Sequence, residues 1–145
     1  MMQADMNVVE SQLNGQADYK LYIVEDHENV RRLIVSFLGA MPNCSVIGEA
    51  ASAKEILNDP RREEADLIIT DLSMPEISGI ELTHLLIEEN PKYLIALLTA
   101  YNESSFVTAA FEAGACAYVV KEDPVVIESV INRVLAGERN IIELG

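Results

Sequence analysis

The chain has 145 residues, half of them hydrophobic, and sets 24 Asp and Glu against 10 Lys and Arg for a formal charge of -14. That length predicts one domain with a single core, and so acidic a surface repels phosphate backbones and anionic lipid, which excludes nucleic-acid binding by this chain itself. The longest uncharged run, residues 33–48, is broken at Gly39-Ala40-Met41-Pro42-Asn43 and falls short of a membrane span, so no membrane partner is expected.

Residues 1–18 are polar, without sustained periodicity, and lack the basic start and apolar stretch of a signal peptide. They read as a flexible N-terminal leader, and the protein as cytoplasmic. The domain is expected over residues 19–138, with 139–145 as a C-terminal tail or the start of a linker. Leu21-Tyr22-Ile23-Val24 opens the fold as a short apolar run ended by acids, the pattern of a strand buried on both faces of a parallel sheet. Val30, Leu33, Ile34, Phe37 and Leu38 then follow helical spacing with Arg31 and Arg32 turned away, so residues 28–38 form an amphipathic helix. Ser45-Val46-Ile47 is the second strand, and a weak helical pattern covers 53–57. Leu67-Ile68-Ile69-Thr70 is the third strand, followed by a helix over 80–89 that stops at Asn90-Pro91. Leu94-Ile95-Ala96-Leu97-Leu98 is the fourth, followed by a helix over 104–113 that stops at Gly114. Ala117-Tyr118-Val119-Val120 is the fifth, and Pro124 opens a last helix to Leu135 that Gly137 stops. Five strand–helix units with right-handed crossovers give an α/β fold, a doubly wound parallel sheet covered by helices on both faces.

Ligands of an open parallel sheet bind beyond the carboxyl ends of its strands. Strand one closes with Glu25-Asp26, strand three with Asp71, strand four with Thr99 and strand five with Lys121. Each alone has a bland reading as a turn residue, a helix cap or a surface charge. Together they put three acids, a hydroxyl and an ammonium on one edge. Three carboxylates so close repel one another unless a cation sits among them, and an all-oxygen donor set suits Mg²⁺ rather than zinc. Three acids and Lys121 sum to -2, which one Mg²⁺ cancels. The neutralised site accepts a phosphoryl group, with Lys121 pairing to it, Thr99 donating to it and a carboxylate attacking phosphorus. His27 and His84 receive no role. Cys44 and Cys116, in apolar contexts without ligand spacing, read as buried free thiols.

Over about residues 20–138 the sequence resembles the receiver domain of bacterial two-component response regulators. The likeness rests on Val24-Glu25-Asp26-His27, on Ile68-Ile69-Thr70-Asp71-Leu72-Ser73-Met74-Pro75 with Gly79, on Leu97-Leu98-Thr99-Ala100, and on Ala117-Tyr118-Val119-Val120-Lys121. It implies a flavodoxin-like sheet of five strands in the order 2-1-3-4-5. It further implies that Asp71 is the phosphoacceptor, Asp26 a direct Mg²⁺ ligand, Glu25 a ligand through water and Ser73 a ligand through its backbone carbonyl. Thr99 and Lys121 would bind phosphoryl oxygens, and Tyr118 matches the aromatic that swings inward when the threonine is drawn to phosphate. The phosphoryl donor would be a sensor histidine kinase, with homodimerisation a possible response. Glu25 replaces the more frequent Asp, and Lys121 is followed by Glu122 rather than proline. With His27 and the Val134-Leu135-Ala136-Gly137-Glu138 ending, the pattern resembles the NarL/FixJ branch, whose members usually continue into a helix-turn-helix domain that regulates transcription.

Such a domain is a signalling switch, catalysing only its own phosphorylation and dephosphorylation. Two other readings are weighed against it. A haloacid-dehalogenase-like phosphatase wants a second Asp where this chain has Ser73, and a cap domain for which there is no room. A pseudo-receiver that only binds partners has no need of the complete acid, Thr and Lys set.

Overall fold

The computed structural model describes residues 18–121 and 123–145. The leader expected over 1–18 falls almost wholly outside these, as does Glu122. Six strands and five α-helices follow in order: β1 (Tyr19–Val24), α1 (Glu28–Gly39), β2 (Cys44–Ala50), α2 (Ala53–Leu57), a 3-10 turn (Pro60–Glu64), β3 (Leu67–Thr70), α3 (Gly79–Glu89), β4 (Ile95–Thr99), α4 (Ser104–Ala113), β5 (Ala117–Val120), α5 (Pro124–Leu135) and β6 (Ile141–Glu143). The strands form one parallel sheet in the order β2-β1-β3-β4-β5-β6. The expected five strands and their order are present. The sixth is a correction to the five-strand count, and it occupies residues expected to be a tail.

Side chains alternate across each strand, which splits the apolar residues into two layers. Leu21, Ile23, Leu67, Ile69, Leu98, Ala117 and Val119 pack on one face beneath α1 and α5. Tyr22, Val24, Ile68 and Ile95 face α2 and α3, while Leu97, Tyr118 and Val120 face α4. A central strand buried on both sides has no position for a charge until it ends. β3, β4 and β5 are accordingly buried throughout. A leucine or isoleucine wholly withdrawn from water in this way contributes about 1.5–3 kcal/mol.

β2 reaches further than expected, to Ala50, and a register shift opposite Leu21 and Tyr22 accommodates its extra residue. Gly48 makes this possible: a β-carbon there would lie 2.4 Å from the Tyr22 ring. Helix α1 also departs from expectation, since Leu33 is 72% exposed. It sits instead at the rim of a shallow apolar groove with Ile34, Phe37, Leu98, Pro124 and Ile127. Cys44 and Cys116 are buried free thiols, as expected. Burial pushes both thiols up, away from the reactive thiolate.

Candidate functional site

Strand register brings the expected residues to one edge. Val24 pairs with Thr70, and the Asp71 N–H donates to the Val24 carbonyl at 2.9 Å, so the residue following β1 stands beside the residue following β3. Thr99 pairs with Val120, and the Lys121 N–H donates to the Thr99 carbonyl. The loop after β3 is held back on the sheet by Gly79, whose N–H donates to the Leu72 carbonyl at 2.7 Å. A β-carbon on Gly79 would fall 2.0 Å from the Asp71 carbonyl oxygen, so only glycine permits α3 to begin this close to the acid.

Lys121 joins the two central carboxylates. Its Nζ lies 2.7 Å from Glu25 Oε1 and 3.3 Å from Asp71 Oδ1. Glu25 is 1% exposed, Asp71 7% and Thr99 0%, so the ammonium is the counter-charge that lets two acids stay in a nearly dry environment. Burial opposes ionisation of Glu25, but the hydrogen bonds from Lys121 and from the His27 N–H outweigh it and hold the carboxyl below its ordinary value. For Asp71 burial dominates. Lys121 pulls the other way but nearby Glu25 adds repulsion, and the carboxyl is pushed above its ordinary value. Lys121 loses hydration, yet Glu25 and Asp71 together raise it, so it stays charged at neutral pH.

Asp26 shows a different condition. Its Oδ1 is buried and receives no hydrogen bond from the described residues. The His27 ring nitrogen stands 3.3 Å away without forming one. A buried carboxylate oxygen without a donor is costly, and a cation removes that cost. Glu25, Asp26 and His27 each place one ligand atom within 4.8 Å of the others. The two carboxylates of this group suit a hard divalent ion and the His27 nitrogen does not; Asp71 lies outside the group and adjoins Glu25 through Lys121. Ser73 lies in the exposed loop after β3, between buried Leu72 and Met74.

Tyr118 is fully buried beneath α4, and its hydroxyl donates to the Tyr101 carbonyl at 2.6 Å. The Tyr101 N–H in turn donates to Thr99 Oγ1 at 3.2 Å. One backbone residue therefore links the Thr99 hydroxyl to the Tyr118 hydroxyl. The Tyr101 ring packs against Phe106 with centroids 5.7 Å apart and remains 42% exposed.

The structure also shows residues that the sequence pattern passed over. His27 was given no role, although its place directly after two acids was a usable signal. Arg31, expected to point away from the fold, curls back so that its guanidinium donates to the Glu25 carbonyl at 2.9 Å and to Glu49 Oε1 at 3.0 Å. His84 stands 3.5 Å from Glu88 on the exposed side of α3.

A stability prediction follows from the Asp71 carboxyl. Its folded-state pKa lies above the unfolded value, so ionisation destabilises the fold as pH rises through about 3.9 and the cost is fully present above the folded value. Replacing Asp71 with Asn removes that cost and leaves Lys121 its shorter contact with Glu25. Asp71→Asn is therefore expected to melt a few degrees higher than the wild type at pH 7 in chelator, and the gain should vanish below about pH 4. Thermal denaturation followed by circular dichroism measures both; a gain of equal size at both pH values would refute the assignment to ionisation.

A family model described as the response regulator receiver domain matches residues 21–132. The DNA-binding transcriptional activator DevR/DosR of Mycobacterium tuberculosis is 38% identical over 103 residues, which are 71% of this chain and 48% of that protein. The transcriptional activator ExaE of Pseudomonas putida is 34% identical over 122 residues, covering 83% of this chain and 57% of that one. The chain thus spans about half the length of the curated relatives it matches. Among solved structures, a two-component response regulator of the LuxR family from Aurantimonas superposes with a TM-score of 0.81 at 31% identity, covering 88% of this chain and 91% of the other. The signal receiver domain of a NarL regulator from Mycobacterium tuberculosis shares the fold with a TM-score of 0.78 at 20% identity, covering 84% and 99%. Sequence match, fold and the acid–threonine–lysine edge agree: the chain belongs to the response regulator receiver domains.

Proposed function

We propose that this receiver accepts a phosphoryl group on Asp71 from a histidine kinase, with Mg²⁺ held by Asp26, Glu25, Asp71 and the Ser73 carbonyl. The observation that carries the reading is the Lys121 ammonium lodged between Glu25 and Asp71 at the strand ends, with a buried oxygen of adjoining Asp26 that no described residue hydrogen-bonds. Mg²⁺, when bound, neutralises the phosphoryl oxygens and draws charge from the reacting centre.

The chain's own residues supply the rest. Asp71 Oδ1 is occupied by the Leu72 N–H at 2.9 Å and by Lys121, which fixes the carboxylate plane and assigns the attack to Oδ2. In transfer from phosphohistidine the Oδ2–P bond forms as the P–N bond breaks, the bonding electrons stay on that nitrogen, and the imidazole leaves neutral because its other ring nitrogen already carries a proton. Lys121 then exchanges part of its contact with the carboxylates for a phosphoryl oxygen. Thr99 Oγ1 accepts from Tyr101, so its own proton is free to be donated to another. A shift of Thr99 toward phosphate pulls on Tyr101, whose carbonyl anchors Tyr118, and that chain carries the signal to the α4 surface. The apolar groove between α1 and α5, with Leu33 exposed at its rim, offers a kinase helix an uncharged seat. Incubation with acetyl phosphate should add one phosphoryl mass in Mg²⁺ and none in chelator. Equal labelling in both would sink the metal-assisted reading.

The lifetime of the phosphoryl group depends on how water reaches phosphorus. Ser73 is too short to orient an attacking water and lacks an amide or carboxylate, while Tyr101 adds bulk at the rim beside Thr99. Phosphorylated Asp71 is expected to persist for many minutes. Tyr101→Ala should shorten its life on the order of tenfold, or about 1.4 kcal/mol of barrier. Phosphate loss at fixed Mg²⁺ is the measurement, and indistinguishable rates would leave Tyr101 to its packing on Phe106.

A further inference from the structure

We propose that Arg31 is a positioning residue for the cation site, holding the Glu25–Asp26 peptide so that Asp26 is aimed at the ion. The proposal rests on the metal reading above. The guanidinium spans two acceptors, with one nitrogen on the Glu25 carbonyl and another on Glu49 of β2, and its side chain is only 17% exposed despite lying in the first turn of α1. The carbonyl it grips belongs to the same planar unit as the Asp26 N–H, so holding that oxygen fixes the plane from which Asp26 departs. The Glu25 carboxylate has Lys121 and the His27 N–H to orient it, whereas Asp26 Oδ1 has no hydrogen-bond donor among the described residues. The aim of Asp26 is therefore set through the backbone. Among the described residues, Arg31 is the side chain that grips that backbone carbonyl.

Glu49 completes the device. It stands opposite Ile23 in the β1–β2 ladder, which ties the guanidinium to the sheet rather than to solvent. It also offsets a positive charge that would otherwise repel a divalent ion. Arginine's rigid fork serves both acceptors at once; the single ammonium of lysine does not reproduce that geometry.

Two effects of Arg31 oppose each other, which makes the test decisive in sign. If its charge dominated, removing it would tighten cation binding. If positioning dominates, as the Glu49 pairing implies, removal weakens binding, and lysine, which keeps the charge, does not restore it. Mn²⁺ titration of the full chain, followed by electron paramagnetic resonance of the free ion, is expected to show weaker binding for both Arg31→Ala and Arg31→Lys by on the order of tenfold. The Mg²⁺ concentration for half-maximal phosphorylation from acetyl phosphate should rise by a similar factor, exceeding any fall in the maximal rate at saturating Mg²⁺. Equal or tighter Mn²⁺ binding by Arg31→Ala, with the wild type binding normally, overturns the positioning role alone. A wild type that binds no Mn²⁺ overturns it together with the metal reading. Melting curves in chelator establish that each variant is folded, and should the alanine variant fail to fold, the lysine variant decides.

Discussion

Asp71→Asn is expected to abolish uptake of the phosphoryl group from acetyl phosphate and Mg²⁺, the largest change any single substitution in this chain should produce. The variant keeps the shape of the side chain and can still face Lys121, but an amide has neither the charge nor the nucleophilic oxygen that attack on phosphorus requires. The neighbouring Glu25 is not expected to take its place. Glu25 is held at its Oε1 by Lys121 and at its Oε2 by the His27 N–H, and its burial leaves no approach for a phosphoryl donor. Intact-protein mass spectrometry after incubation decides the matter, and a phosphoryl adduct persisting in the Asn variant would move the acceptor elsewhere.

Lys121→Met should be the most destabilising change at the site. It removes the ammonium 2.7 Å from Glu25 Oε1 and leaves a 1% exposed carboxylate with, among the described residues, only the His27 N–H and the His27 ring nitrogen at 3.4 Å for compensation. Breaking a buried pair from one side costs about 3–5 kcal/mol. For a domain of this size that corresponds to a melting temperature lower by on the order of 10 °C. The sign with pH can be worked out. In the wild type the Glu25 folded-state pKa lies below its unfolded value, so its contribution is present above about pH 4.3 and is lost as pH falls through the folded value. Without Lys121, burial is unopposed by the ammonium, the folded-state pKa rises, and ionisation destabilises instead. The gap between the two proteins should therefore be widest near neutrality, narrow toward about pH 4 as the penalty in the variant disappears, and close only as pH falls through the lowered Glu25 value. Melting curves in chelator at several pH values test this, and a gap that ignores pH would mean that lost packing of the lysine stem is responsible.

The sheet and its polar edge were legible because burial on both faces forces a strand to be apolar until it ends, so Asp71, Thr99 and Lys121 stand out where the runs of Leu67–Thr70, Ile95–Thr99 and Ala117–Val120 close. What the pattern could not convey was set by contacts distant in sequence. Three residues, Ile141–Glu143, make too short a run to distinguish a strand from a tail, and pairing with β5 is what extends them. Asn140, in the left-handed region at φ 57, was the local sign of a turn into that strand. Arg31 was misplaced because helical periodicity assigns a direction to the Cα–Cβ bond, whereas a long side chain can fold back to an acceptor of opposite facing. The Tyr118 to Tyr101 hydrogen bond joins residues 17 apart in the chain, and no spacing rule anticipates it.

The short sixth strand changes what the domain presents to other chains. Without it, the open margin of the sheet would be β5, four buried residues without a charge among them, whose unpaired amides and carbonyls form a ready template for strand addition and aggregation. β6 takes up that hydrogen-bonding row in register from Ala117 to Val119 and ends in Glu143, which lies 3.5 Å from Arg133 on α5. Three residues offer an incoming strand little to extend, and the terminal acid makes that offer less attractive still. The segment thus acts as a selvedge, finishing the cloth of the sheet so that the buried, uncharged β5 is not left bare.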